Sequence, residues 1–441
     1  MGVRRHVTLQ PSAARLTRSL RDVGYDFASA IADLVDNSLA AGAARIEVEI
    51  EFAGADSYVL IADDGSGMTA NGLNEALRFG SRREYRSGDL GRYGLGLKTA
   101  SLSQCRSVTV VSRRPDSGRP SVRQLDLDLI AEWDEWLIVD PGRTSATEFA
   151  HAIVDRGFST VVIWNKLDRV LPERKPDGAW AKRRFDDLTR RAREHLGMVF
   201  HRFIEANGSE AAVNIILNGE KVPAWNPFAP QEAATIEFPE QIFELTVGDV
   251  TGTVKLSRYI LPSRDNFSSA IEFERMSGPL KWNRQQGLYI YRANRLVQWS
   301  GWARIRAIDE HTKLARAALD FNTDLDFAFN INVAKMRVSI PPQLRQVLER
   351  PINELCMSAG DAYRKTARMR GNLPVHRQAP PGRLPAQAPP VSLPGQVSAT
   401  AGLALRSAAL QTGQYDALRS IAAVLMEQAP DVARALSLHD I

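Results

Sequence analysis

An acid and an amide lie one helical turn apart in the segment IADLVDNSLAAGA, which covers residues 31–43. Projected at about 100° per residue, Asp33, Asp36 and Asn37 fall opposite an apolar arc. The side chains of that arc are Ile31, Leu34, Val35 and Leu39. Asp33 and Asn37 can therefore reach one ligand. An amphipathic helix with a solvated acidic face is the alternative, and this segment by itself leaves both interpretations open.

A second group of polar residues follows two predicted strands. The segment RIEVEIEF, residues 45–52, alternates polar and apolar side chains, and YVLIA, residues 58–62, runs directly into DDGSGM. Asp63 ends that second strand, where its carboxylate can accept a hydrogen bond from an exocyclic amine. Gly65 and Gly67 would let the backbone approach a flat ligand closely. Asp-Gly pairs also form ordinary turns, so a plain turn is the alternative.

Glycines then precede a predicted helix that begins at Leu97. Gly91, Gly94 and Gly96 form a Gly-x-x-Gly-x-Gly run, which would present backbone N–H groups and the positive end of the helix dipole to phosphate oxygens. The spacing differs from that of the dinucleotide-binding fingerprint, and the Gly-Lys-Ser/Thr ending of the Walker A loop is missing. Alone, this run is weak evidence for phosphate binding.

The elements that position these residues belong to a chain of 441 residues, which is long enough for two or three domains. Lys and Arg number 56 against 51 Asp and Glu, a small excess that permits an acidic partner without requiring one. Cys105 and Cys356 fit neither a metal-ligand spacing nor a disulfide framework. No apolar run approaches the roughly 20 residues of a membrane span. We therefore expect a cytoplasmic protein without membrane contact.

The order of the three segments resembles the GHKL superfamily, the ATPases of the Bergerat fold. DLVDN looks like the N box of that family, DDGSG like its first glycine box, and GRYGLGLKTAS like its second, with the ATP lid between the glycine boxes. The amino-acid sequences of these segments are similar to those of MORC-like and MutL-like members. The resemblance implies an α+β protein that binds ATP and Mg²⁺ in a Bergerat-fold α/β sandwich.

The resemblance assigns a role to each of these residues. Asn37 would ligate Mg²⁺, and Asp33 would act as the catalytic base, although the family usually has Glu there, so turnover is expected to be slow. Asp63 would bind the adenine amine. Gly65, Gly67 and Met68 would line the adenine pocket, and Thr160, in GFSTVVIWNKLDR, would close it. The residues expected at the phosphates are Gly91, Gly94, Leu95, Gly96, Leu97, Lys98 and Thr99. A solvent-facing lid residue is the alternative for Lys98.

A second domain is expected after residue 170. Short predicted strands mixed with helices suit the β/α transducer domain, ribosomal S5-like in fold, that follows the ATPase domain in similar proteins. In FNINVAKMRVSIP, Lys335 would reach the γ-phosphate and serve as a second catalytic residue, whereas an exposed strand lysine is the alternative. The Arg-rich segment 181–208 could contact DNA or be an ordinary solvated helix.

The remaining chain is expected to be a linker and a tail. Seven prolines between residues 371 and 400 predict a semi-extended linker. Residues 401–441 predict a short helical tail, in which Pro430 can open the last helix. The expected organisation is therefore an ATP-binding domain at 1–170, a transducer-like domain at 171–370, the linker, and the tail.

Together these features predict a Mg²⁺-dependent ATPase that works as a nucleotide-gated homodimeric switch or clamp. The switch would act on DNA, or on a partner protein such as a nuclease. It would serve a bacterial DNA transaction such as restriction or phage defence. Two alternatives stay open: a chaperone-like ATPase that remodels protein clients, and an ATP-sensing scaffold with little hydrolysis.

Overall fold

The elements of the chain form two units, Met1–Leu373 and Pro374–Ile441. The computed structural model describes residues 11–22, 24–80, 96–116, 118–172, 174–206, 212–248, 250–331, 338–371, 406, 409, 415–428 and 430–435. Sheets and helices are mixed in the larger unit, which has two separate sheets and is of the α+β class that the sequence predicts. No described helix is long and apolar enough to span a membrane.

The first sheet has seven strands in the order β4-β3-β5-β2-β1-β6-β7. The strands are β1 (Arg45–Glu51), β2 (Tyr58–Asp63), β3 (Ser107–Ser112), β4 (Ser121–Asp126), β5 (Thr160–Asn165), β6 (Asn214–Leu217) and β7 (Glu220–Lys221). All neighbours are antiparallel except β1 and β6. Because β6 pairs with β1, a boundary at residue 170 would separate β6 and β7 from the other five strands of this sheet.

Helices cover the first sheet and bury its apolar core. They are α1 (Ala13–Leu20), α2 (Phe27–Ala40), α3 (Ala70–Leu77), α4 (Gly96–Leu102), α5 (Leu127–Trp133), α6 (Ser145–Asp155), α7 (Ala179–Val199) and α8 (His201–Glu205). The helix predicted around residues 31–43 is α2, which begins after Asp26, whose side chain accepts from the Ser29 N–H. It stops just before Gly42, which has a φ of 74°. Asp26 and Gly42 are therefore the local start and stop signals of this helix.

The second sheet has five strands in the order β11-β10-β12-β9-β8. They are β8 (Ile236–Val247), β9 (Val250–Ile260), β10 (Gly287–Arg292), β11 (Arg295–Gln298) and β12 (Ala315–Phe321). Helices α9 (Ala270–Met276), α10 (Lys281–Gln285) and α11 (Pro342–Gly371) accompany them. Ala293 and Asn294 join β10 to β11, with φ values of 45° and 66° that suit a tight hairpin turn.

Strand β8 lies at the edge of the second sheet among the described strands. Most of its side chains are exposed, and its pairing with β9 shifts register between Phe238 and Gln241. Pro239 lies inside that irregular stretch. The strand is therefore interrupted near its middle.

In the smaller unit, described by itself, helices cover Tyr415–Gln428 and Pro430–Ala435. Leu418 and Ala422 are buried. The helical tail and the opening proline agree with the sequence pattern. The predicted linker lies mostly outside the described residues.

Helix α7 contacts both α2 and β11, so it lies between the two sheets of the larger unit. Its last turns pass very close to the chain that follows β7. Gly197 accepts a hydrogen bond from the Trp225 N–H at 2.9 Å, and a Cβ on Gly197 would lie 2.5 Å from the Pro223 carbonyl oxygen. A glycine inside this helix is therefore explained by a close backbone contact.

We expect Gly197→Ala to lower the melting temperature, although alanine in a helix interior ordinarily stabilises by up to about 1 kcal/mol. The reason is the clash with the Pro223 carbonyl. Gly360→Ala is the matched control, since a Cβ there meets only the Arg364 guanidinium at 3.9 Å. Thermal unfolding of both variants decides: an equal rise in melting temperature would contradict the close contact.

Candidate nucleotide site

Asp33 projects from α2 into the protein and is 1% exposed. The Tyr25 hydroxyl donates a 2.7 Å hydrogen bond to Asp33 Oδ2, and Thr99 of α4 is a further hydrogen-bond partner of Tyr25. Burial and the neighbouring Asp33 carboxylate raise the pKa of Tyr25, so the phenol keeps its proton and acts as a donor. Asp33 Oδ2 also lies 2.8 Å from where a Cβ on Gly96 would stand, which places the carboxylate against the first residue of α4.

Asn37 lies on the same helix one turn later, and it is exposed. The structure therefore separates the two members of the predicted pair by environment: a buried acid and an accessible amide. Among the described residues, no group of three His, Cys, Asp or Glu side chains could hold a metal ion. A single amide oxygen suits Mg²⁺, which keeps waters and phosphate oxygens in its coordination sphere and is seldom enclosed by protein ligands alone.

Asp63 ends β2 and is 6% exposed. Its Oδ2 accepts from the Ser38 hydroxyl at 2.9 Å, and its Oδ1 accepts from the Gly65 N–H at 3.0 Å. Burial raises the pKa of Asp63 to about 6, and these two hydrogen bonds oppose that rise. Ser38 ties the adenine-binding candidate to α2, so the two predicted binding segments share one hydrogen-bond network.

Thr160 pairs directly with Asp63 across β5 and β2. Its hydroxyl lies 2.9 Å from the Ser112 hydroxyl, which also accepts from the Met68 N–H at 2.8 Å. The structure therefore brings Thr160 and the residues after Asp63 to the same end of the sheet. Sequence reasoning missed Ser112, because nothing near it in the chain distinguishes it from an ordinary strand serine.

The two glycines of DDGSG have steric reasons to be glycine. A Cβ on Gly65 would lie 2.8 Å from the Ala41 Cβ. Gly67 has a φ of 63°, and a Cβ there would lie 2.1 Å from the Arg113 carbonyl oxygen. The loop is thus pressed against both the end of α2 and the chain after β3. Close backbone contact accounts for these glycines with or without a ligand.

Lys98 is 1% exposed, and its ammonium donates to the carbonyl oxygens of Ala76 and Arg78 at 2.9 and 2.7 Å. Burial lowers the pKa of Lys98 to about 8. In this conformation the side chain therefore binds the end of α3, and it does not face solvent. Leu97 is half-buried beside it, and Thr99 is buried against Tyr25.

Four of the predicted residues lie outside the described part of the chain. They are Gly91, Gly94, Leu95 and Lys335. The described residues that the sequence did not single out are Tyr25, Ser38 and Ser112, which hold Asp33, Asp63 and Thr160. Ser38 directly follows Asn37, and this proximity is the sequence signal that could have identified Ser38 as a site residue.

Residues 25–157 match the family model for histidine kinase-, DNA gyrase B- and HSP90-like ATPases. The matched segment begins at Tyr25 and includes every described site residue named above except Thr160. The chain is also similar to the DNA mismatch repair protein MutL from two strains of Halobacterium salinarum, with 39% identity over 101 residues. That match covers 22% of this chain and 15% of each relative. The chain therefore contains a GHKL-type ATPase domain, while the rest of the chain lies outside these matches.

We expect the stability of Asp63→Asn, relative to the original protein, to rise with pH through the range from about 4 to 6. Because burial raises the pKa of Asp63 from 3.8 to about 6, ionising it in the unliganded fold costs up to about 3 kcal/mol above that range and nothing below it. An amide carries no such cost. Melting temperatures of the two proteins at pH 4 and pH 8 measure the effect.

Asp56→Asn is the control for this measurement, since Asp56 is exposed. A pH-independent difference between Asp63→Asn and the original protein would show that Asp63 does not ionise at an unfavourable buried position.

Proposed function

We propose that this protein, with its GHKL-type ATPase domain, binds and hydrolyses ATP in the presence of Mg²⁺ and uses the cycle as a nucleotide-gated dimeric switch on DNA. The observation that supports hydrolysis best is the placement of Asp33. It is a buried carboxylate, held by the Tyr25 hydroxyl, and it lies against the first residue of α4. A base in such a fixed position can act on a water next to the phosphates.

Each residue of the site has a separate task in this proposal. The Asp63 carboxylate accepts a hydrogen bond from the adenine amine, with Ser38 and Gly65 fixing its orientation. Asn37 contributes its amide oxygen to Mg²⁺. When bound, the ion neutralises charge on the triphosphate and polarises the terminal phosphoryl group. Asp33 orients the attacking water and accepts its proton as the water oxygen bonds to phosphorus and ADP leaves.

The aspartate at position 33 limits the rate. Its carboxylate is one methylene shorter than the glutamate that the resemblance leads us to expect. The Tyr25 hydroxyl also donates to the oxygen nearest α4, so water has to compete for that oxygen or use the other one. We therefore expect slow turnover, of the kind that suits a timed switch better than a metabolic enzyme.

The second sheet supplies the moving part of the proposed switch. As a transducer-like domain it would bring Lys335 to the γ-phosphate when ATP is bound, and two copies of the chain would associate in that state. ATP-dependent homodimers, a site shared by the two sheets, and a role in defence or another DNA transaction are all parts of the proposal.

Two facts support the proposal that the switch acts on DNA. The relatives that match carry the name DNA mismatch repair protein, and this chain has a formal net charge of +5. Three of the five arginines of α7 add little, because Arg190, Arg191 and Arg193 already pair with nearby acids. Locally paired arginines are typical of a solvated helix.

If Asp33 is the base, Asp33→Asn should lower ATP turnover by about 10²–10⁴-fold while ATP still binds, because the amide cannot accept the proton. Phosphate release and equilibrium binding of a fluorescent ATP analogue measure the two quantities. Asp33→Glu is the matched variant and should retain turnover. Equal turnover of the original protein and Asp33→Asn would favour the ATP-sensing scaffold.

Double-stranded DNA should raise turnover several-fold at about 50 mM salt, and the increase should fade at about 300 mM, because phosphate contacts are lost as counterions compete. Steady-state phosphate release with and without DNA tests this. Turnover that ignores DNA at every salt concentration, but responds to an unfolded protein client, would favour the chaperone-like alternative.

A further inference from the structure

A buried ion pair joins the helix of the nucleotide site to the second sheet. Asp36 of α2 is 1% exposed, and Arg295 at the start of β11 is 3% exposed. Arg295 Nε lies 3.2 Å from each carboxylate oxygen of Asp36, and its Nη1 donates to the Leu296 carbonyl. Asp36 stands directly before Asn37, the proposed Mg²⁺ ligand, and three residues after Asp33.

Aromatic and imidazole groups surround this pair. The Phe200 ring, at the end of α7, lies 5.8 Å from the Arg295 guanidinium. His195 of α7 packs edge-on against Trp299 at 5.6 Å. Burial lowers the pKa of His195, so the imidazole is neutral beside Asp36 and Arg295. His195 therefore adds no positive charge beside Asp36 at neutral pH, whereas Arg295 pairs with it directly.

The hairpin that carries Arg295 is anchored on both sides of its turn. Arg292, the last residue of β10, makes two hydrogen bonds to Asp326 at 2.6 and 2.7 Å, within the second sheet's own core. Arg295, the first residue of β11, binds Asp36 of the other sheet's helix. Arg292 and Arg295 are separated only by Ala293 and Asn294. One of them binds a residue near the second sheet, and the other binds helix α2 of the first sheet.

Removing one partner of such a pair leaves a buried charge without compensation, which is far more destabilising than replacing both partners by apolar residues. The pair also fixes direction, because a planar guanidinium holds its carboxylate at a set angle. The Asp36–Arg295 pair therefore links the β10–β11 hairpin to α2 at the residue beside Asn37.

We propose that Arg295 is a positioning residue for the nucleotide site: it ties α2 to the β10–β11 hairpin, so that the placement of Asp33 and Asn37 depends on the second sheet and nucleotide binding is transmitted to that sheet. This inference rests on the proposed function, because it takes α2 to be the helix that contacts Mg²⁺ and ATP. It does not require Lys335, and it identifies a permanent link in addition to any contact made only with ATP.

Three variants test the link: Arg295→Met, Asp36→Ala and the double variant. Arg295→Met should lower kcat at least ~10-fold with KM for ATP changed by less than ~3-fold, since positioning acts on the chemical step. The double variant should recover most of the melting temperature that Arg295→Met loses, because no lone charge remains buried. Its kcat should stay low, because the tie is still missing.

Hydrogen exchange supplies a measurement that does not need hydrolysis. Binding of Mg²⁺ and a non-hydrolysable ATP analogue should slow amide exchange in residues 287–298 of the original protein at least ~5-fold. In the double variant the slowing should be less than ~2-fold. The analogue must still bind the variant, which a fluorescence titration checks.

Arg292→Met is the matched control, because the buried Arg292–Asp326 pair joins the same hairpin to a residue of its own half of the larger unit. It should lose melting temperature yet keep kcat within ~3-fold of the original. Equal loss of kcat in Arg292→Met, or recovery of kcat together with melting temperature in the double variant, would overturn the inference. So would unchanged hairpin exchange in an original protein that binds the analogue. An original protein that binds no ATP would instead overturn the proposed function.

Discussion

Helix α2 carries two buried carboxylates three residues apart, and each needs a partner inside the protein. Asp33 takes the Tyr25 hydroxyl, which comes from the chain just before the helix, and Asp36 takes the Arg295 guanidinium, which comes from the second sheet. A neutral hydroxyl donates to one carboxylate, whereas a cation pairs with the other. The same helix therefore carries one acid held by a local hydrogen bond and one acid that attaches it to the second sheet.

The far end of the same helix is tied to the segment around Asp63. Ser38 reaches Asp63, whose strand pairs with Thr160, and Ser112 joins Thr160 to the backbone after Asp63. Every link is a hydrogen bond between buried or half-buried groups, where an unpaired partner would be costly. These contacts fix the orientation of the Asp63 carboxylate, whose burial raises its pKa to about 6.

Local signals in the sequence were enough to predict α2, β1 and β2. Asp33, Asn37 and Asp63 could also be selected as candidate site residues, because their types and spacing are visible within short segments of the sequence. The partners could not be predicted. Arg295 lies 259 residues after Asp36 and follows an ordinary hairpin turn. The position of Lys98 likewise depends on where α3 ends in space, so the sequence could not predict that its ammonium donates to two carbonyl oxygens in this conformation.

The interrupted edge strand β8 has a consequence for how copies of this chain can meet. An uninterrupted strand edge offers a ladder of free backbone groups on which another strand can add, and such additions continue into open-ended aggregates. In β8, Pro239 removes a donor, the irregular stretch up to Gln241 breaks the ladder's regularity, and Glu237, Glu240 and Glu244 place negative charge along the strand. Sheet-to-sheet extension through this edge is therefore disfavoured. Any association between copies is left to other surfaces of the chain.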